Sequence, residues 1–104
     1  LNGTVDLNPF KIEFVTLTHS IIEPNGLKID TPAGTIFHTG DWKVDPNPLV
    51  GKKVNEENLK KIGDNGVLAM ICDSTNVFSI GRAGSEADVR KSMLNVMSRQ
   101  KKKY

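Results

Sequence analysis

The sequence predicts an α/β fold in which mostly antiparallel strands are followed by a helix–strand–helix passage. Three observations lead there. Short apolar stretches broken by turn residues fill positions 4–39, as strands of a meander do. An unbroken apolar run at 67–72 has strand length. Two stretches, 55–62 and 85–97, open on helix-capping residues.

Each element follows from its residues. Positions 4–7 alternate weakly, and Asn8-Pro9 is a turn signal. Along 10–18, Ile12, Phe14 and Thr16 face one side while Val15 and Leu17 face the other. Apolar groups on both faces predict a strand covered on both sides, paired with 4–7 as an antiparallel hairpin. Glu23-Pro24-Asn25-Gly26 reads as a second turn, 27–30 as a short strand, Pro32-Ala33-Gly34 as a third turn and 35–39 as another strand. Pro46, Pro48 and Gly51 mark a loop. In 55–62, Asn55 is an N-cap candidate, acids come early and lysines late, an order that complements the helix dipole. Gly63 is expected to end that helix. The run 67–72 predicts a central, doubly covered strand, stopped by Asp73-Ser74-Thr75-Asn76. Positions 78–84 form a glycine-bearing loop. Ser85-Glu86-Ala87-Asp88 then has the form of a capping box with Asp in the acidic place. Val89, Met93, Val96 and Met97 share one helical face, and Met70, Met93 and Met97 are expected in the core.

The 104 residues make one domain at most, or a piece of a larger one. A chain of this size buries about 65% of its unfolded surface, and 38% hydrophobic content argues against disorder. The net charge of +2 belongs to the tail: Arg99, Lys101, Lys102 and Lys103 supply four of the 14 basic residues, and the remainder is mildly acidic. Basicity therefore gives no support for nucleic-acid binding, and the tail reads as a solvated terminus. No apolar run approaches the ~18 residues of a membrane span, and no leader pattern opens the sequence. Lone Cys72 has no internal disulfide partner, which fits a reducing cytoplasm.

The residues that could carry chemistry sit where apolar runs end. Phe14 to Leu17 leads to His19, and 22 residues later a second run leads through His38 to Asp41. Strands that end in a His or an Asp present ligands at a sheet rim, but a metal site needs three or four protein ligands. Taken singly, His19 is either a satisfied structural histidine or a ligand, and Asp41 a turn aspartate or a ligand. His38 reads as a packing or ligand-orienting residue and Asp45 as a loop acid before Pro46. Asp73, beside Ser74, reads as an active-site acid or a turn cap.

In combination these segments resemble the ribonuclease J family. Leu17-Thr18-His19-Ser20-Ile21, with Glu23 and Gly26-Leu27 beyond, is similar to that family's third metal-binding motif. Ile36-Phe37-His38-Thr39-Gly40-Asp41-Trp42-Lys43 with Asp45 resembles its fourth. Asp73-Ser74-Thr75-Asn76 and Gly84-Ser85-Glu86 resemble the passage from a metallo-β-lactamase core into an inserted β-CASP domain. The resemblance covers residues 3 to about 97, in the family's order.

It implies part of a metallo-β-lactamase αββα sandwich, with 1–84 as the C-terminal part of the first core segment and 85–104 as the first β-CASP helix and a basic tail. It implies that His19 completes one zinc site and that Asp41 bridges two Zn2+ ions, whose chemistry is to supply hydroxide that attacks RNA phosphodiesters, from the 5′ end and internally. His38, Asp73 and Ser74 are implied as substrate-binding or ligand-orienting residues. RNA is the implied partner, and the family is usually homo-oligomeric, with no membrane association. The family's His-x-His-x-Asp-His motif is absent from this sequence, as is most of a β-CASP domain, and Ile22 stands where the family usually has proline. The expectation is of a partial chain that binds zinc weakly and is inactive alone. The alternative is a non-catalytic remnant or an interaction module that needs a complementary chain.

Overall fold

The computed structural model describes residues 3–99. Five strands and two helices follow in the order β1 (Thr4–Leu7), β2 (Phe10–Thr16), β3 (Asn25–Thr31), β4 (Gly34–His38), α1 (Glu56–Asp64), β5 (Ala69–Ile71) and α2 (Glu86–Arg99). The strands form one sheet in sequence order. Pairings β1–β2, β2–β3 and β3–β4 are antiparallel, while β5 pairs parallel to β4 after a crossover that contains α1. This is the predicted α/β class, and it is compatible with part of a metallo-β-lactamase sandwich.

The hairpin turns at Asn8-Pro9, with Leu7 opposite Phe10. Strand β2 ends at Thr16 rather than 18, because Leu17 and Thr18 leave the regular ladder. The Leu17 amide donates to the Pro24 carbonyl, and Thr18 makes an isolated bridge to Lys43. Strand β3 begins at Asn25, so Asn25 and Gly26 belong to the strand and not to the predicted turn. Glycine is needed there for space: a Cβ on Gly26 would lie within 3.0–3.2 Å of Leu17, Phe37 and the His38 carbonyl. Between β3 and β4, the Thr31 hydroxyl accepts from the Ala33 and Gly34 amides and donates to the Gly34 carbonyl.

Helix α1 starts as expected, with the Asn55 side chain accepting from the Asn58 amide at 3.0 Å. It runs through Gly63 to Asp64, and the left-handed residue past its end is Gly66, at φ +89°. Ile62, Leu59 and Val67 pack on Val15 and Phe37, which makes the small core. The capping box of α2 is present: the Asp88 amide donates to Ser85 Oγ and the Ser85 amide to Asp88 Oδ2.

Two expectations fail together. The 67–72 run is not a doubly covered central strand; β5 is three exposed residues at the sheet edge. Helix α2 buries no residue. Met70, Met93 and Met97, expected in the core, are 56%, 60% and 67% exposed. The apolar pattern is real, but beyond Val67 the rest of that run and the apolar face of α2 are left uncovered among the described residues. The Cα radius of gyration is accordingly 17.8 Å, where a compact domain of this length has about 13 Å.

Candidate functional site

Strands β2, β4 and β5 run the same way, since β2 and β4 flank antiparallel β3 and β5 is parallel to β4. Their C-terminal ends therefore share one rim. His19 follows β2, His38 ends β4, Asp41 follows it, and Asp73 and Ser74 follow β5. Sequence reading placed His19, Asp41 and Asp73 at the ends of apolar runs; the topology brings those ends to one side.

The His19 and Asp41 turns are stitched together directly. The Lys43 amide donates to the Thr18 carbonyl at 2.7 Å, the Thr18 hydroxyl donates to the Lys43 carbonyl, and the Asp45 amide donates to Thr18 Oγ1 at 3.0 Å. His19 is half-buried, and its buried Nδ1 has no hydrogen-bond partner among the described residues. A buried nitrogen without a partner is costly unless something else meets it. Asp41 is exposed on the turn made by Gly40, whose φ of +60° suits glycine. His38 is exposed rather than packed inside its strand, and its Nδ1 accepts from the Gly40 amide at 3.0 Å, which shapes that turn.

Asp73 accepts from the Thr75 hydroxyl and the Thr75 amide, and these bonds hold its carboxyl below the ordinary range; His19 adds a smaller attraction in the same direction. Trp42 and residues 73–77 line a cleft of about 290 Å³ beside the rim. Ser74 is exposed, and its carbonyl accepts from the Val77 amide. Beneath the rim lies an apolar groove of about 490 Å³, lined by Leu17, Phe37, Trp42, Ile62, Val67 and Met70 among others.

Two residues that sequence reasoning missed complete the rim's scaffold. Asp45 is buried, not a plain loop acid, and it accepts from the backbone amides of Glu86 and Asn47. These bonds, led by that from Glu86, hold its carboxyl below the ordinary range, with Lys43 adding attraction. Glu86, in the first turn of α2, accepts from Ser20 Oγ and the Leu49 amide. Its place in a capping box and in the Gly84-Ser85-Glu86 resemblance drew notice, but contacts over such sequence separations leave no local signal.

No protein-family model matches the chain. It is 43% identical over 94 residues to a ribonuclease J of Sinorhizobium meliloti, which covers 90% of this chain and 17% of that relative. To a ribonuclease J of Corynebacterium glutamicum it is 43% identical over 98 residues, covering 94% of this chain and 14% of the relative. A ribonuclease J of Thermus thermophilus is 40% identical over 90 residues, covering 86% and 16% respectively. The chain belongs to the ribonuclease J family. It spans about a sixth of the length of these ribonuclease J relatives.

The donor set fits a share of a metal site but not a whole one. An unpartnered buried imidazole nitrogen beside an exposed carboxylate turn is the right chemistry for ligands. Yet among the described residues no group of three or more His, Cys, Asp or Glu could hold an ion. Nor is any described helix of this ribonuclease J family member long and apolar enough to cross a membrane.

Proposed function

We propose that this chain is the His19- and Asp41-bearing part of a zinc-dependent, cytoplasmic ribonuclease that hydrolyses RNA phosphodiester bonds. Residues 1–84 belong to the metallo-β-lactamase core, and α2 opens a β-CASP domain. The observation that carries the reading is the buried, unpartnered Nδ1 of His19 on the rim to which the Asp41 turn is stitched. The kinship to ribonuclease J relatives supplies the reaction class.

In this reading His19 would ligate one Zn2+ and Asp41 would bridge two. Zinc, when bound, acidifies water to near-neutral pKa. The chain's own residues do the rest. The Thr18–Lys43 bridge fixes the spacing of the two ligand turns, and His38 holds the Gly40 turn that aims Asp41. Asp73, held by the hydroxyl and amide of Thr75, stands on the same rim as His19. Asp73 and Ser74 border the cleft that would accept substrate.

One imidazole and one carboxylate leave a zinc ion at least two protein ligands short. The exposed faces of β5 and α2 support the corollary that a complementary polypeptide completes the site. Calorimetry with Zn2+, beside an assay on 5′-monophosphorylated RNA, tests both parts. Weak zinc binding lost in His19→Ala, with no cleavage, is expected. Binding indifferent to both His19→Ala and Asp41→Ala would sink the ligand assignment. RNA cleavage by the chain alone would overturn the need for a complement.

A further inference from the structure

The segment between the two ligand turns and α2 contains a closed polar circuit. Thr18, 1% exposed, spends its carbonyl and its hydroxyl entirely on the backbone of Lys43 and Asp45. The Asp45 side chain, 2% exposed, turns the other way and accepts the Glu86 amide at 2.8 Å, at the opening of α2. Lys43 Nζ lies 3.8 Å from that carboxylate and donates to the Gly84 carbonyl at 2.8 Å. The Glu86 carboxylate then returns: Ser20 Oγ donates to it at 3.0 Å, and the Leu49 amide at 2.9 Å.

His19 is therefore flanked on both sides by residues in this circuit, Thr18 before it and Ser20 after it. Asp41 lies two positions before Lys43, which is also in it. Helix α2 has no buried residue of its own, so these bonds are the described contacts that hold its first turn to the sheet.

We propose that Asp45 and Glu86 are positioning residues that couple the seating of α2 to the placement of His19 and Asp41. A shift of α2 moves Ser20 through the Glu86 carboxylate and moves Lys43 and Thr18 through Asp45. The ligand turns and the helix thus seat together or loosen together. Such a coupling is reciprocal, so an ion held at the ligand turns tightens α2 to the degree that α2 tightens the ion. This use of the coupling rests on the zinc reading above; the mechanical linkage itself does not.

The test follows amide hydrogen exchange in the 104-residue chain, without metal and then with Zn2+. In Glu86→Ala the Leu49 amide loses its partner directly, which by itself decides nothing. The deciding amides are Lys43 and Asp45, which bond to Thr18 and not to Glu86. The linkage predicts that their exchange rises at least several-fold in Glu86→Ala and in Asp45→Asn, while the β1–β2 hairpin amides stay unchanged. Glu86→Gln, which retains one strong acceptor, is expected to restore part of the protection. Unchanged exchange at Lys43 and Asp45 in both variants overturns the proposal, whatever zinc does.

With Zn2+, followed by the His19 imidazole resonances, Glu86→Ala is expected to weaken affinity about tenfold, as loss of ligand-orienting partners commonly does. Zinc should also slow exchange across the first turn of α2 in the wild type and not in Glu86→Ala. If zinc leaves His19 untouched while the metal-free coupling is present, the linkage stands and the zinc reading falls. If zinc binds His19 equally well in Glu86→Ala, the positioning role falls and the zinc reading stands.

Discussion

Replacing Gly26 by alanine tests how tightly β3 is clamped between its neighbours. Gly26 lies opposite Val15, and an added methyl would sit 3.0 Å from Leu17 Cδ1, 3.1 Å from the His38 carbonyl oxygen and 3.2 Å from Phe37 Cζ. Favourable carbon–carbon contact lies at about 3.5–4.0 Å, so the carbon neighbours must retreat by several tenths of an ångström. The carbonyl cannot easily move, because His38 is paired with Leu27 on one side and Ile71 on the other. Leu17 and Phe37 border the apolar groove and yield first. Overpacking of this kind costs about 1–3 kcal/mol. Against it, stiffening the unfolded chain returns about 0.4–1 kcal/mol where the backbone suits alanine, as it does here at a φ outside the left-handed region. The clash wins, and the net loss is about 1 kcal/mol. At an m-value of about 1 kcal/mol per molar, the urea midpoint falls by about 1 M. Trp42, the single tryptophan, lines the same groove and reports the transition by fluorescence. Leu17→Val removes the nearest carbon, so the double variant should recover at least about 0.5 kcal/mol of the summed losses. Additive losses, or a Gly26→Ala midpoint at or above wild type, would mean that Leu17 and Phe37 do not crowd position 26.

Thr18→Val keeps the shape of a 1% exposed side chain but strips the acceptor from the Asp45 amide; a loss of about 1–3 kcal/mol is expected in the same urea assay. Asn55→Ala removes the cap on the Asn58 amide and should cost about 1 kcal/mol, with circular dichroism showing α1 fraying. Asp45 has a depressed carboxyl, chiefly through the Glu86 amide, so its contribution is present above its unfolded pKa of about 4 and is lost as pH falls through the folded value. Protection at the first turn of α2, relative to the intrinsic exchange rate at each pH, should fall on acidification below about pH 4 in the wild type, and a parallel fall in Asp45→Asn would exclude Asp45 as its source.

The parts legible in the sequence are those set by near neighbours. Asn8-Pro9 marks its hairpin, Asn55 and Ser85 cap their helices, and Thr31 to Gly34 closes a tight turn, because each signal acts within a few residues. Gly26 misled because glycine beside proline and asparagine has the composition of a turn, whereas its cause is crowding by Leu17 and Phe37. The 67–72 run misled in another way. Apolar composition records that a surface is suited to burial, and it cannot say whether the described residues supply the cover. The site shows the same division. His19, Asp41 and Asp73 stand out as polar residues at the ends of apolar runs, but Asp45 and Glu86 gain their meaning from partners far along the chain.

The crossover that carries β5 to the sheet has a consequence for the order of assembly. Strands β1 to β4 form a meander in which each strand meets the next across a short connection, so most of their pairing is local. Strand β5 instead pairs Met70 with Phe37 across the whole of α1 and its loops. Loop-closure entropy rises by about 0.6 kcal/mol for each doubling of loop length, and three residues of parallel pairing offer little against it. The meander, with His19 and Asp41 already on its rim, can therefore form early, while Asp73 reaches them only when the last strand docks. By the same entropy argument β5 is expected to open more readily than the meander, which would part Asp73 from the rim while the His19 turn still holds.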